Sequence, residues 1–402
     1  MFKNPLVGCN QIGEQLARAA HDKSPVTGLT HNFYRYPARF SPTFASTAIN
    51  LFSRPGDIVL DPYMGGGTTI IEAMVAGRDV IGADLNSLSL FLTKVKTTEL
   101  TSAETNALIS WADQLVPQLT YRYPAESVTH LLADTKKTRN LNLTRARFIK
   151  KFVAAALDKL DCLESQNSKD FARCALLKTS QWALDGRKSH TSLTQFRDRL
   201  RQNVREMLLD LEDFAYSVRH RDMRCSARTL IETDAALIEQ ADIFSNRELR
   251  VDLVVTSPPY PGLHVLYHRW QVDGRRETPA PYWIAGCEDG QGCSYYNFGG
   301  RKEKGLNSYF RKSLNTLKAI RGVMRCGGYM VQMIAFTNPL DQLPRYLANM
   351  EMAGFEEVVL QPPTSTAKEK RIWRSVPNRK WHANLMCKTS GSQEVVLIHQ
   401  AI

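Results

Sequence analysis

The sequence predicts an α/β fold of the doubly wound type, in which parallel strands alternate with helices. Three short apolar segments carry this prediction, at 57–61, 79–84 and 251–255. A Gly-rich turn follows the first segment, and residues 70–76 after it have the pattern of a helix. Strand, Gly-rich turn and helix together let the backbone approach a ligand that carries a carboxylate or a phosphate. We therefore expect a ligand site at the carboxyl ends of these strands.

The Gly-rich turn at 62–69 has the sequence PYMGGGTT. No lysine follows its glycines, so it is not the phosphate-binding loop of nucleotide hydrolases. Its glycines are consecutive, so it is also not the spaced GxGxxG dinucleotide fingerprint. The next apolar segment ends in Asp84, about 20 residues further on, where doubly wound nucleotide-binding folds place a carboxylate on ribose hydroxyls.

The segment 255–260, VTSPPY, contains groups suited to hold an unstacked amino base. Its two prolines lack N–H donors and stiffen the turn, so the preceding carbonyls project as acceptors. The Ser257 hydroxyl and the Pro258 carbonyl would accept the two N–H bonds of an exocyclic amino group, favouring a pyramidal nitrogen with a free lone pair. Tyr260 would offer its ring to the base, a contact worth about 1–3 kcal/mol. The alternative is an ordinary proline-rich turn.

Together these segments resemble the DNA amino-methyltransferases, which use S-adenosylmethionine to methylate cytosine N4 or adenine N6. The resemblance covers residues 31–86 and 228 to about 388, and the segment 31–40 is similar to the one that precedes the cofactor loop in many of these enzymes. It implies a doubly wound, Rossmann-like class I methyltransferase with a mixed seven-stranded sheet. The cofactor loop precedes the catalytic loop, so the chain does not have the permuted order of the two.

The resemblance implies S-adenosylmethionine as the cofactor. The glycines would let the turn pass beneath its methionine part, and Asp61 would lie close to its amino group. Asp84 suits the ribose diol, because a carboxylate can accept two hydroxyl hydrogen bonds. Asp234 ends a third predicted strand at 228–234 and would meet the adenine amino group, or would instead cap a helix. The cofactor-binding residues implied are Tyr36, Asp61, Gly65, Gly67, Thr68, Asp84, Asp234 and Thr256.

The resemblance also implies the catalytic residues and the target base. Serine at position 257 resembles the cytosine enzymes, whereas the adenine enzymes usually have Asp or Asn there. Cytosine N4 is therefore the preferred target and adenine N6 the alternative. Methylation of a base in RNA is a second alternative, and a catalytically inactive DNA-binding protein is the alternative that is not an enzyme. The catalytic residues implied are Ser257, Pro258, Pro259 and Tyr260.

Composition agrees with a DNA-modifying enzyme. The 402 residues carry a formal net charge of +12, which favours a polyanionic partner such as double-stranded DNA. There is no apolar run long enough to span a membrane and no leader, and the eight cysteines contain no CxxC pair, so we expect a cytoplasmic protein. No cysteine follows a proline, so the Pro-Cys nucleophile of cytosine-C5 methylation is missing. A restriction endonuclease, within a restriction–modification system, is left open as a partner.

A helical insertion is predicted at 100–225, between the second and third strands, while residues 1–99 and 226–402 form the catalytic domain. Residues 135–225 contain 20 Lys and Arg against 11 Asp and Glu, a surplus suited to DNA phosphates. Arginines interleaved with apolar residues from 196 to 205 indicate one basic-faced helix. Solvated helices with internal salt bridges are the alternative.

Two later segments are further candidates for the DNA surface. Residues 261–315 mix arginine with aromatic residues, which suits a mobile loop that closes on nucleic acid, although these aromatics could instead pack the loop onto the domain. The basic stretch 368–380 is predicted as a hairpin loop between strands at 355–360 and 382–388. We expect the insertion, the loop after Tyr260 or both together to read the target sequence. The arginines expected at DNA are Arg197, Arg201, Arg269, Arg275, Arg276 and Arg371.

No metal site is predicted. His264, His268, Cys287 and Cys293 lie in the loop after the catalytic motif, but their spacing matches no usual zinc finger.

Overall fold

The computed structural model describes residues 9–36, 40–120, 122–124, 126–144, 146–187, 189–221, 227–246, 248–261, 269–274, 276–288, 298–299, 302–360, 371–375 and 393–402. The strands of this part of the chain are β1 (Ile58–Asp61), β2 (Asp79–Asp84), β3 (Arg228–Glu232), β4 (Val251–Thr256), β5 (Trp270–Val272), β6 (Arg276–Thr278), β7 (Met324–Ala335), β8 (Phe355–Glu357), β9 (Ile372–Ser375) and β10 (Gln393–Ala401).

Helices cover both faces of the sheet and fill the interval between β2 and β3. They are α1 (Cys9–His21), α2 (Pro42–Phe52), α3 (Thr68–Val75), α4 (Ser87–Lys96), α5 (Ser102–Gln118), α6 (Thr129–Leu132), α7 (Arg147–Asp158), α8 (Gln166–Leu184), α9 (Leu193–Arg221), α10 (Ala280–Ala285), α11 (Glu303–Val323) and α12 (Pro339–Met352).

The main sheet has the order β3-β2-β1-β4-β7-β10-β8, and β9 also pairs with β10. The strands from β3 to β7 are parallel, whereas β10 runs antiparallel to β7. One edge of β10 pairs with β7, and the other edge pairs with β9 over 393–396 and with β8 over 399–401. The predicted doubly wound fold is thus confirmed, with seven positions across the sheet and two short strands that share the last one.

The order of the strands places a switch point between β1 and β4. The chain moves from β1 outward to β3 and then returns to β4 on the other side of β1. In open α/β sheets of this kind, ligands bind at the carboxyl ends of the strands where the direction of winding reverses. Asp61 and Thr256 are the last residues of β1 and β4, so the candidate site lies there.

The core is divided between the two faces of the sheet, because successive side chains of a strand point to opposite sides. Val59 packs on one face with the helices of the interval between β2 and β3, while Leu60 packs on the other face with α11 and α12. Helices α5 to α9, between Ser102 and Arg221, occupy the segment predicted as the helical insertion. Its apolar side chains belong to the same continuous core as α2, α3 and α4. The insertion is therefore joined to the sheet through a shared core.

Several expectations require correction or fall outside the described residues. The last strand is β10, over 393–401, and the sequence patterns did not predict it; the strand expected at 382–388 lies outside the described residues. The same is true of Arg275, His264, His268 and Cys293. No helix in the described part of the chain is long and apolar enough to cross a membrane.

Candidate active site

The Gly-rich turn after β1 packs closely against Tyr36 and Thr93. Gly65 and Gly67 have φ angles of +48° and +77°, in the left-handed region that side chains disfavour. A Cβ on Gly67 would lie 2.5 Å from the Thr93 hydroxyl oxygen in α4, and one on Gly65 would lie 3.3 Å from the Tyr36 ring. The turn therefore needs glycine for its conformation and for its close packing. It ends at Gly67, the N-cap of α3, and Thr68 begins that helix.

Hydrogen bonds to Asp84 connect this turn to the end of β2. Its carboxylate accepts hydrogen bonds from the backbone N–H of Gly65 at 2.9 Å, from that of Asn86 at 2.9 Å and from the Ser89 hydroxyl at 3.0 Å. Burial raises the pKa of Asp84, and these hydrogen bonds oppose the increase. The predicted ribose-binding acid thus lies directly beside the glycine turn.

Asp61 joins the two predicted loops. Its Oδ1 accepts a hydrogen bond from the Thr256 hydroxyl at 2.7 Å and from the backbone N–H of Tyr63 at 3.1 Å. Burial raises the pKa of Asp61 to about 6, although hydrogen bonds from the Thr256 and Thr69 hydroxyls and the Tyr63 N–H lower it. Because Thr256 immediately precedes Ser257, this bond connects the cofactor loop to the catalytic loop.

The catalytic loop is held from outside the motif. The Ser257 hydroxyl donates to the carbonyl of Met333 in β7 at 3.1 Å, and the Tyr309 hydroxyl of α11 donates to the Pro259 carbonyl at 3.0 Å. Within the described residues, no group donates to the Pro258 carbonyl. That carbonyl and the lone pairs of Ser257 are therefore the acceptors that the loop presents.

A buried ion pair lies behind Tyr260. The Tyr260 hydroxyl donates to Glu394 Oε1 at 2.8 Å, and Glu394 Oε2 lies 2.6 Å from Nε of Arg374. The side chains of Arg374 and Glu394 are only 10% and 7% exposed. The prediction that the basic stretch 368–380 faces DNA is wrong for Arg374, because its guanidinium is buried against Glu394.

The third acid, Asp234, follows β3. Its side chain accepts a hydrogen bond from the Ala236 N–H at 2.9 Å and caps a 3₁₀ turn, which is the alternative role that the sequence left open. Burial raises the pKa of the Tyr63 hydroxyl, and the charges of Asp234 and Asp61 raise it further. Asp234 follows β3 and therefore lies at the same carboxyl edge of the sheet as the cofactor loop.

The donor and acceptor groups at this edge of the sheet fit S-adenosylmethionine. The cofactor carries an ammonium, a carboxylate, a ribose diol and an adenine amino group. Asp61, Asp84 and Asp234 supply acceptors after β1, β2 and β3, and the glycine turn leads into the N-terminus of α3, which attracts carboxylates. Burial of Tyr36 and Thr68 at 7% and 5% exposure places both within the wall of this region.

Sequence patterns missed two buried supports of the cofactor loop. The ammonium of Lys96 donates to the Gly66 carbonyl at 2.7 Å, although this lysine is only 1% exposed. His31 Nε2 lies 2.7 Å from Glu72 Oε1, within α3. His31 begins the segment 31–40 that resembles the family, but its contact with Glu72 has no local signal, and a lysine in an amphipathic helix carries no motif.

The arginines of the insertion have partners inside the chain. Arg197 donates to the carbonyls of Pro117 and Leu119 at the end of α5, and Arg201 and Arg205 pair with Asp113 in the same helix. The basic face of α9 therefore contacts α5, which agrees with the alternative of internal salt bridges. Among the other candidates, Arg371 forms two hydrogen bonds of 2.6 and 2.7 Å with Glu357.

Two described tryptophans of the segment after Tyr260 pack onto the domain. Trp270 donates from Nε1 to the Tyr34 hydroxyl at 2.9 Å, and Trp283 donates to the Leu131 carbonyl at 2.9 Å. Both side chains are buried, which agrees with the alternative that these aromatics pack onto the domain. Arg276 is exposed on β6, and Arg269 is half-buried just before β5.

The strand order, the acids after β1 and β2 and the Ser-Pro-Pro-Tyr loop after β4 define a Rossmann-like methyltransferase. A family described as DNA methylase, of the N6/N4 type, matches residues 16–90. The resemblance to the N4/N6 DNA amino-methyltransferase family is thus confirmed, and that family implies S-adenosylmethionine as the cofactor.

Type II methyltransferases are among the similar proteins. The chain is 33% identical over 98 residues to M.MvaI of Kocuria varians, which covers 24% of this chain and 22% of that protein. It is 44% identical over 55 residues to M.MthZI of Methanothermobacter thermautotrophicus, covering 14% and 16%. The matched segments thus span less than a quarter of these relatives.

Solved structures overlap with this fold at low similarity. TrmN from Thermus thermophilus gives a TM-score of 0.33 at 12% identity, covering 90% of this chain and 49% of that one. A putative rRNA methylase from Clostridium thermocellum gives 0.31 at 10% identity, covering 89% and 95%.

Proposed function

We propose that this chain transfers the methyl group of S-adenosylmethionine to the exocyclic amino group of a base flipped out of double-stranded DNA. The observation that carries the proposal is the hydrogen bond of 2.7 Å between the Thr256 hydroxyl and Asp61. It holds the cofactor loop and the base-holding loop side by side at the switch point of the sheet. A methyl donor and an amino acceptor must meet at such a place for direct transfer.

The catalytic loop prepares the amino group of the base. This group is a weak nucleophile because its lone pair is delocalised into the ring. The Ser257 oxygen and the Pro258 carbonyl accept its two N–H bonds, which favours a pyramidal nitrogen whose lone pair is free to attack. When bound, the cofactor supplies an electrophilic methyl group. Tyr260 provides a ring on which the base stacks outside the helix.

The cofactor would be held by the acids and the turn of the opposite loop. Asp61 attracts its ammonium, and Asp84 accepts hydrogen bonds from its ribose hydroxyls. Asp234 accepts one from the adenine amino group. The glycine turn and Thr68 receive the methionine carboxylate at the N-terminus of α3.

Cytosine N4 is the preferred target and adenine N6 the alternative. Serine at position 257 supports this preference, because the family resemblance associates serine with the cytosine enzymes and Asp or Asn with the adenine enzymes. A base in structured RNA is a further candidate substrate, since related loops act on RNA.

The test is methyl transfer from isotopically labelled S-adenosylmethionine to duplex DNA of mixed sequence, followed by mass spectrometry of the nucleosides. We expect 4-methylcytosine in DNA; 6-methyladenine would instead establish the alternative base, and label confined to an RNA substrate would replace DNA as the partner. Cofactor binding without transfer to any nucleic acid would contradict the proposal.

Base-resolved mapping of methylation in DNA from cells that express the protein would then identify the recognition sequence. An endonuclease that cleaves the same unmethylated sequence would be the partner expected in a restriction–modification system.

A further inference from the structure

The hydroxyl of Tyr260 has no role in stacking, yet it is tied into a chain of polar groups. It lies 3.2 Å from the Ser257 hydroxyl oxygen and donates to Glu394 at 2.8 Å. Glu394 in turn pairs with Arg374. These contacts therefore connect Ser257 to the buried ion pair of Glu394 in β10 and Arg374 in β9.

We propose that Glu394, held by Arg374, is a positioning residue that keeps the oxygen of Ser257 available as an acceptor for the target amino group. This role rests on the proposed function of the loop. Glu394 acts through the hydroxyl of Tyr260 and does not touch the base itself.

The direction of the hydrogen bonds carries the argument. An ionised carboxylate accepts hydrogen bonds and donates none, so the single hydroxyl proton of Tyr260 points to Glu394. Ser257 then receives no proton from Tyr260, and its own proton lies toward the Met333 carbonyl at 3.1 Å. Among the described residues, no group then donates to the serine oxygen, so its lone pairs can act as acceptors. One of them can accept the N–H of the base.

Arg374 holds Glu394 in place. A guanidinium remains charged at any physiological pH, and a buried charge requires a partner. The two residues are directly opposite each other in the pairing of β9 with β10, so the ion pair is built into the sheet. Arg374 also donates to the Ala20 carbonyl of α1 at 3.0 Å, which fixes its orientation.

The sheet brings this pair to the catalytic loop. Ser257 follows β4, Met333 lies in the neighbouring β7, and Glu394 lies in β10, where it is opposite Ala335 of β7. Tyr260 reaches across β7 to meet it. The arrangement depends on β10 being inserted between β7 and the edge strands.

Replacing the carboxylate of Glu394 with an amide reverses the direction of the hydrogen bonds that link Glu394, Tyr260 and Ser257. In Glu394→Gln the amide can donate to Tyr260, whose proton then turns toward Ser257 and occupies a lone pair. We expect kcat for DNA methylation to fall about ten- to a hundredfold. The Kd for S-adenosylmethionine should stay within about threefold of the parent value, since Glu394 is not proposed to touch the cofactor.

The decisive measurement is a double-mutant cycle with Tyr260→Phe. Because Glu394 acts only through the Tyr260 hydroxyl, Glu394→Gln should cause little further loss of kcat once that hydroxyl is removed. A structural role for Glu394 predicts instead the same fold loss in both backgrounds, and that result would overturn the proposal. If Glu394→Gln does not fold, the cycle is run with Glu394→Asp, which withdraws the acceptor by one methylene group.

Glu357→Gln is the matched control. It removes the same charge from the Arg371–Glu357 pair beside the same strand, without contact to the catalytic loop. Its rate of methyl transfer should equal that of the parent. A loss as large as that of Glu394→Gln would show that removing any carboxylate charge beside β10 slows methyl transfer.

The inference and the proposed function fail in different ways. Parent protein that methylates DNA but shows equal losses in both Tyr260 backgrounds overturns only the role of Glu394. Parent protein that methylates no nucleic acid overturns the function, and the same cycle is then measured on the free energy of unfolding. Additive changes in the free energy of unfolding would also exclude an energetic coupling between Tyr260 and Glu394. Non-additive changes would support the hydrogen bond between them.

Discussion

The two halves of the candidate site are assembled differently. In the cofactor half, hydrogen bonds join residues near each other in the chain: Gly65 and Asp84 are 19 positions apart, and Ser89 and Gly65 are 24 apart. In the base-holding half, Ser257 bonds a residue 76 positions away and Tyr260 one that is 134 positions away. Apart from Asp234 and the Asp61–Thr256 bond, the first half is a local unit of β1, α3, β2 and α4, whereas the second depends on β4, β7 and β10, which lie far apart in the chain.

Because of this difference, we expect changes in the two halves to affect different quantities: cofactor affinity in the first half and the rate of methyl transfer in the second. The match to the family described as DNA methylase covers residues 16–90, which contains the cofactor turn and Asp84 but not the catalytic loop. Changes in the local unit should therefore weaken cofactor binding. Changes in the loop after β4 or in the strands that support it should slow methyl transfer while the cofactor still binds.

The largest effect is expected from the catalytic loop. Ser257→Ala removes an acceptor at the amino group where charge develops, and we expect methyl transfer to fall about 10²–10³-fold. Cofactor affinity, measured by calorimetry, should match the parent. Wild-type turnover in this variant would remove Ser257 from the reaction.

Tyr260→Ala should also lose most of its turnover, but by another route, because the base then lacks its stacking platform. A mismatched target base is already unpaired, so it should rescue Tyr260→Ala more than Ser257→Ala. Equal rescue of the two variants, measured by turnover on matched and mismatched duplexes, would contradict the division of roles between them.

The cofactor half should show the next largest effect. Asp84→Ala removes the acceptor for the ribose hydroxyls and also releases the Gly65 N–H. We expect cofactor affinity to fall by on the order of 2–4 kcal/mol. Asp79→Asn, at the opposite end of β2, is the matched control and should bind normally. Unchanged affinity in a folded Asp84→Ala protein would exclude Asp84 from the site.

The buried carboxyl of Asp61 predicts a smaller, pH-dependent effect. Burial raises its pKa to about 6. Below that pH the carboxyl is neutral and attracts the ammonium of the cofactor weakly, and above it the carboxylate binds more strongly. Cofactor affinity should therefore rise about tenfold between roughly pH 5 and 7. Asp61→Asn should bind weakly with little dependence on pH; a slope equal to the parent's would assign the titration to another group.

The smallest effect concerns the contact with DNA. The Asn140 side chain donates to the Glu277 carbonyl at 2.8 Å, so a turn of the insertion lies beside the β5–β6 hairpin that carries exposed Arg276. We propose that this surface faces DNA. Arg276→Ala should reduce the dependence of log affinity on log salt by about one unit. Arg201→Ala, whose arginine already pairs with Asp113, should leave that slope unchanged; the reverse outcome would assign the DNA surface to α9.

Sequence patterns were sufficient for the features that depend on local backbone chemistry. Consecutive glycines predicted the turn after β1, and short apolar segments predicted β1, β2 and β4. They were insufficient for Arg374 and for the arginines of α9, since charge alone does not show which side chains find a carboxylate partner. The aromatic residues Trp270 and Trp283 were likewise ambiguous, because the same amphipathic ring packs in a core or stacks on a base.

The sequence by itself determined the two loops, the acids that end β1 and β2 and the positions of the first four strands along the chain, because glycine, proline and short apolar runs restrict the backbone wherever they occur. Only the tertiary structure decided that β10 lies between β7 and the edge strands and that Glu394 reaches Tyr260. That choice depends on which strands pair with β10 and on a side-chain contact between residues 134 positions apart, a free energy of the whole chain that no local segment contains.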